Sequence, residues 1–273
     1  MSGEGGTTGD QKLRHARVLY PGNSMLRYSE FMLKSKLLAG FGEVVYGVSE
    51  VADGNMSVNW GDTVTVDCNR RKFLGKLGIK QEDCVIASLE LGTRIVEVGS
   101  SQKDKYVEGD ALVMKEEGVG LFMLTADCHA TVVYDPVKKI LVLVHLGRQG
   151  LDRELPEKVI KEMESLGSWA GNVIAAAGPG ISRESYVWEG DLPFAHPGWT
   201  EFVERGTDGK WRIDMAGFLR RQFFEAGVRE KNIEISSVDV YSDSRFYSHV
   251  RSVKTGEAEG RFATVVMIRK SLG

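Results

Sequence analysis

Hydrophobic positions along the chain fall into short runs separated by glycine-rich punctuation, and two periodicities take turns. Residues 44–48 read as a strand, and residues 52–62 (ADGNMSVNWGD) as a turn-rich loop. Residues 66–77 place apolar side chains at helical spacing ahead of Gly78, which predicts an amphipathic helix with a glycine C-cap. Residues 83–91, 93–98 and 111–114 follow as strand candidates. The most apolar region, residues 121–134 with 140–146, predicts a hairpin of buried strands around an Asp-Pro turn. Residues 155–166, with Pro156 in the first turn, and residues 213–226, ended by Gly227, predict helices. Residues 172–180, 233–241 and 262–268 predict further strands, and residues 29–38 a short early helix. The alternation has no strict βαβ rhythm. The expected fold is one α/β domain, a mixed β-sheet core with flanking helices, over residues 15–273. Residues 1–14, glycine-rich and polar, are expected to form a disordered leader.

Composition narrows the function classes. The chain is 42% hydrophobic and 27% charged, enough apolar side chain for a substantial core. Net charge is −3 with both signs interspersed, so no basic face for nucleic acid is expected. No apolar run approaches the roughly 20 residues that span a bilayer, so no membrane partner is expected. The first residues lack the charged and apolar regions of a secretory signal, which points to the cytoplasm. Cys68, Cys84 and Cys128 are odd in number and have no CxxC spacing, against a disulfide framework or a self-contained zinc finger.

Chemistry concentrates in TADCHATVVYDPVKKILVLVHLGRQG, residues 125–150, which holds one of three cysteines and two of five histidines. If Asp135 and Lys138 face each other across a two-residue turn, Cys128 lies opposite His145 on one face. A loop one residue longer pairs His129 with His145 instead, and type I or II turns splay a two-residue hairpin. Three readings stay open here: satisfied core residues, a shared metal, or a nucleophile with its base. Gly147 to Gly150 and Gly178 to Gly180 offer backbone N–H groups for an oxyanion, although tight turns alone explain such glycines. Arg148, Arg251 and Arg261 are candidates for an anionic group.

Several motifs, in order, resemble the YfiH family, also called the polyphenol oxidase or laccase-domain family. TADC, an apolar strand, DP and VH-x-G-x-x-G form one. GNMSVNWGD, which includes Asn59, resembles the family's Ser-Leu-Asn-Leu-Gly loop, and NRRKFLGKLGI its Asn-Arg helix. AAAGPGISRESYVW resembles its Gly-Pro-Gly-Ile segment, and FYSHVR with TGEAEGRFATVV its closing motifs, where Arg261 matches directly. The resemblance implies a fold distantly similar to the cytotoxic necrotizing factor deamidases and a pocket zinc held by two histidines and a cysteine. It implies action on purine nucleosides, by phosphorolysis of adenosine, inosine and methylthioadenosine or by deamination of adenosine. A bacterial branch is linked to peptidoglycan editing. Cys128 and His145 take two ligand positions, Arg148, Arg261 and Asn59 become candidates for substrate binding, and the expected partner is a nucleoside-like small molecule.

The departures fall at site motifs. Leu91, in LELG, stands at the other ligand histidine of Gln-Val-His-Gly. Gly147-Arg148-Gln149-Gly150 replaces Gly-Trp-Arg-Gly, Ser49-Glu50 replaces Thr-Arg, and Glu184-Ser185 replaces a Cys-Cys pair. Catalytic zinc ordinarily takes three protein ligands, so the zinc site is expected to be incomplete. His129 reaches Cys128 only through a bulge or twist, because strand neighbours point to opposite faces; His249 is a candidate from another strand. Asp127, beside Cys128, is not expected to orient the histidine. Three functions follow: a divergent nucleoside enzyme, a metal-independent Cys–His hydrolase or amidase, or a catalytically silent binding homologue. Oligomeric state is open.

Overall fold

The structure, a computed structural model, describes residues 33–271. Residues 29–32 of the helix expected over 29–38 lie outside them; the rest is corrected, since residues 33–37 are not helical and a 3-10 turn spans Leu38–Gly40. Strand β1 (Val44–Val48) and helix α1 (Thr63–Leu77) come first. Next are β2 (Cys84–Ser88), β3 (Ile95–Val98), β4 (Lys105–Glu108), β5 (Ala111–Met114) and β6 (Gly120–Thr125). The hairpin β7 (His129–Asp135) and β8 (Ile140–Leu146) leads into helices α2 (Arg148–Asp152) and α3 (Leu155–Ser165). Then follow β9 (Ile174–Ala177), β10 (Val187–Trp188), β11 (Val203–Arg205), β12 (Trp211–Ile213) and α4 (Met215–Glu225). The described chain closes with β13 (Ile233–Ile235), α5 (His249–Thr255) and β14 (Phe262–Ile268).

In place of one mixed sheet there are two, with a small third. One runs β1-β14-β6-β2-β4, another β13-β9-β7-β8-β5-β3, and β10-β12-β11 forms the third. Both large sheets mix parallel and antiparallel pairs. Side-chain alternation explains how they stack. On β7, Ala130, Val132 and Tyr134 join Leu141 and Leu143 of β8 against Leu121 and Met123 of β6, filling the layer between the sheets. The intervening Val133, with Val142 and Val144, packs outward on Val159 and Met163 of α3 and Phe218 of α4. Phe73, Leu74 and Leu77 of α1 cover the far face of the first sheet. Four layers result, and β7 and β8 are buried on both faces. That double burial makes them read as continuous apolar runs.

Two expectations are corrected at the hairpin. The run over 121–134 is two strands: β6 belongs to the first sheet and β7 to the second, and Ala126 to Cys128 cross between them. The turn holds four residues, with Asp135 opposite Ile140 and Lys139 at φ 53°. Asp135 Oδ1 accepts the N–H groups of Val137 (2.8 Å) and Lys138 (3.1 Å), an Asx-type turn that avoids the splay of a two-residue type I loop. Ala130, not Cys128, therefore opposes His145. The register differs from the expected one by two residues, which preserves the face.

Elsewhere the strand expected over 233–241 keeps only β13, and the one over 83–91 ends at Ser88, leaving Leu91 in a loop. Helix α1 starts three residues early, where the Asp62 carboxylate accepts the Thr65 N–H (2.9 Å); β-branched Thr63, Val64 and Thr65 disguise that first turn. Gly78 ends it at φ 69°, the left-handed cap expected of that glycine.

Candidate functional site

The site forms where one end of β8 meets the crossing between the sheets. Ala111 pairs with Val144, so Asp110, one residue before β5, lies opposite His145, whose N–H donates to the Asp110 carbonyl (2.7 Å). Directly opposed residues share a face. The His145 Nδ1 edge thus looks at the Asp110 carboxylate, 3.8 Å from Oδ1, and that buried oxygen has no hydrogen-bond partner among the described residues. Oδ2 accepts the Gly92 N–H at 2.9 Å. Burial works against the Asp110 carboxylate, but His145 and the amides of Gly92 and Leu91 outweigh it and hold its pKa below the usual value.

The other edge of His145 meets Cys128. The sulfur and the imidazole converge on Gly147, where an added Cβ would stand 2.7 Å from Cys128 Sγ and 3.3 Å from His145 Cε1. His145 is only 6% exposed. Burial opposes its protonation, yet Cys128 and Asp110 beside it prevail and push the imidazole pKa up to about 9. Cys128 itself is half-buried, within reach of solvent. Gly147 has φ −102°, which alanine adopts without strain, so Gly147→Ala isolates the steric effect. Its added methyl drives the thiol off the imidazole. Iodoacetamide labelling of Cys128 should slow about tenfold, and chemical denaturation should show a loss of about 1–3 kcal/mol.

Asp127 holds the crossing in place. Its carboxylate accepts Ser248 Oγ (2.6 Å) and the Val250 N–H (2.8 Å) at the start of α5, and its carbonyl accepts the Ile181 N–H (2.7 Å). Burial raises its pKa against those bonds, and φ is 83°. With its carboxylate spent on α5, Asp127 does not orient His145. Asp110 has that position, and the sequence reading missed it. Its signal was available: the residue before an expected strand that pairs with the histidine strand.

Other candidates scatter. His129, which opposes Leu146, turns to the helix side, with Nδ1 2.9 Å from the Gly178 carbonyl and Nε2 unpartnered among the described residues; burial lowers its pKa. His249 opens helix α5 rather than a strand, exposed and 3.0 Å from Glu259. Arg251 spends its guanidinium on the carbonyls of Val240, Tyr241 and Phe246 and on Glu257. Arg261 bonds Glu259 (2.5 Å) and lies 5.3 Å over the Trp60 ring, near Asp127. Asn59 is exposed beside Trp60, while Asn55 makes the contact to Arg261, accepting its N–H at 2.9 Å. Arg148 flanks the centre as the first residue of α2. Gly178 and Gly180 donate their N–H groups to the carbonyls of Ala130 and Val238, so they are not oxyanion donors.

A three-ligand metal does not fit this arrangement. Cys128 and His145 offer two donors, and the far edge of His145 faces Asp110. Leu91, 51% exposed at φ 57°, brings no donor, although its loop touches the centre through the amide bonds to Asp110. Among the described residues no group of three or more His, Cys, Asp and Glu side chains is placed to hold a metal ion.

Two mixed sheets stacked between helices define an α/β protein of the YfiH type. The crystal structure of YlmD from Geobacillus stearothermophilus is similar at a TM-score of 0.75, with 22% identity, covering 84% of this chain and 93% of that one. The Bacillus licheniformis hypothetical protein YfiH is similar at 0.73, again with 22% identity, covering 84% and 94%. The chain belongs to the family described as multi-copper polyphenol oxidoreductase laccase, which matches residues 39–269. A relative in Deinococcus radiodurans, named purine nucleoside phosphorylase, is 28% identical over 253 residues, 92% of this chain and 95% of that protein. Another of that name from Bacteroides thetaiotaomicron is 28% identical over 196 residues, 67% of this chain and 69% of its own length. No helix among the described residues is long and apolar enough to cross a membrane.

Proposed function

We propose that the chain is a metal-independent Cys–His enzyme that cleaves a C–N bond in a small molecule of the nucleoside class. Cys128 is the nucleophile, His145 the acid and base, and Asp110 the residue that orients His145. One observation carries this reading: His145 lies against Cys128 on one edge and is faced by Asp110 on the other, while Leu91 stands where the family resemblance puts the remaining metal ligand.

The chemistry balances on these groups alone. The Cys128 thiolate attacks a carbon that bears an amino group, forming an S–C bond. The His145 imidazolium gives its proton to the departing nitrogen as the C–N bond breaks, and ammonia leaves. Neutral His145 then takes a proton from water, the hydroxide attacks the same carbon, the S–C bond breaks, and the thiolate–imidazolium pair returns. The net change is water in and ammonia out. An aminopurine C6 is such a carbon, and the relatives named purine nucleoside phosphorylase support a nucleoside as substrate.

Adenosine incubated with the purified protein and a chelator, without phosphate, should release ammonia and inosine at a rate the chelator does not change. Activity that disappears with chelator and returns with zinc, or no ammonia from any aminopurine nucleoside, overturns the proposal. A second reading, phosphorolysis, rests on the relatives' names. It shows in the same assay as free base released only when phosphate is added.

A further inference from the structure

Arg148, three residues after His145, is left unused by the hydrolytic steps. It follows Gly147, the residue against which Cys128 Sγ and His145 pack. Its guanidinium is fixed in two ways: Nη1 donates to the Pro193 carbonyl (3.1 Å), and Cζ lies 5.6 Å from the Trp188 ring centre. No carboxylate forms an ion pair with it among the described residues, whereas Arg251 and Arg261 are both paired. Tyr186 completes the wall. Its hydroxyl lies beside Arg148 and near Cys128, and burial raises its pKa against the pull of the guanidinium. A cation held over an indole and free of any carboxylate, with a phenol beside it, has planar N–H donors to spare for oxygen anions.

We infer that Arg148, Trp188 and Tyr186 form a subsite for an anionic group, a carboxylate or a phosphoryl group, on the substrate attacked by Cys128. The inference rests on Cys128 being the nucleophile. It narrows the nucleoside-class substrate to members that carry a negatively charged group. Arg148 acts there as a specificity-determining residue.

Alkylation of the native protein tests this without knowledge of the substrate. Iodoacetate and iodoacetamide both form an S–C bond with the thiolate and expel iodide, but only iodoacetate is an anion. The ratio of their rates at Cys128, divided by the same ratio for glutathione in the same buffer at neutral pH, should exceed one by about tenfold. Inorganic phosphate should protect against iodoacetate if the subsite prefers phosphoryl groups, and acetate if it prefers carboxylates. In Arg148→Gln the ratio should fall to the glutathione level, and in Arg148→Lys it should recover in part. A reactive thiol with no anion preference in the native protein overturns the subsite and leaves the nucleophile standing. A preference that persists in Arg148→Gln belongs to the His145 cation and also overturns it. A thiol inert to both reagents overturns the nucleophile and the subsite together.

Discussion

Replacing Cys128 by serine should lower kcat/KM by more than about 10³-fold while leaving the thermal midpoint close to that of the parent. The substitution exchanges sulfur for oxygen at one half-buried atom and leaves Asp127 in place as the anchor of the crossing. What disappears is the sulfur nucleophile. A serine hydroxyl there needs a stronger base to activate it, and Asp110 supports His145 only from 3.8 Å, beyond ordinary hydrogen-bond length. Steady-state rates alongside a melting curve decide the matter. An active serine variant would remove Cys128 from the mechanism.

The pH dependence should be equally large. The imidazolium that protonates the leaving nitrogen persists to about pH 9, because Cys128 and Asp110 outweigh burial. His145 is raised from its ordinary value of 6.5, so the acid form is complete below that value and is lost as pH rises through 9. The alkaline limb of kcat/KM is therefore expected near 9. Asp110→Asn keeps the shape and the Gly92 contact but removes the charge. That variant should move the alkaline limb downward and cost up to about 10⁴-fold in rate, the loss when a triad's carboxylate becomes an amide. A limb that stays in place would show that Asp110 only supports the fold.

Long apolar periodicity was the legible part of this chain. β14 was read at Phe262–Ile268 with its observed bounds, and α1, α3 and α4 within three residues, because each buries one stripe or both faces in quantity. Short edges were not. β4, with the charged residues Lys105 and Glu108, and the two- and three-residue strands of the small sheet carry too little alternation to be seen, and partners distant in sequence define them. Cys128 and His145 were visible because a thiol and an imidazole interrupt apolar runs. Their approach was inferred through a register two residues wrong, and it held the correct face because side chains repeat every second residue. Asp110 carries only a weak signal, its place just before the strand expected over 111–114. A lone aspartate between a glycine and an alanine looks like a turn until the pairing of β5 with β8 puts it across from His145.

The crossing from Ala126 to Cys128 is tied down by residues that are made much later. Ser248 lies 121 residues and Val250 123 residues beyond Asp127. Thr125, at the near end of the crossing, pairs with Phe262 of the last strand. The crossing that carries Cys128 is therefore held only once residues 121 and 123 positions beyond Asp127 have joined the fold.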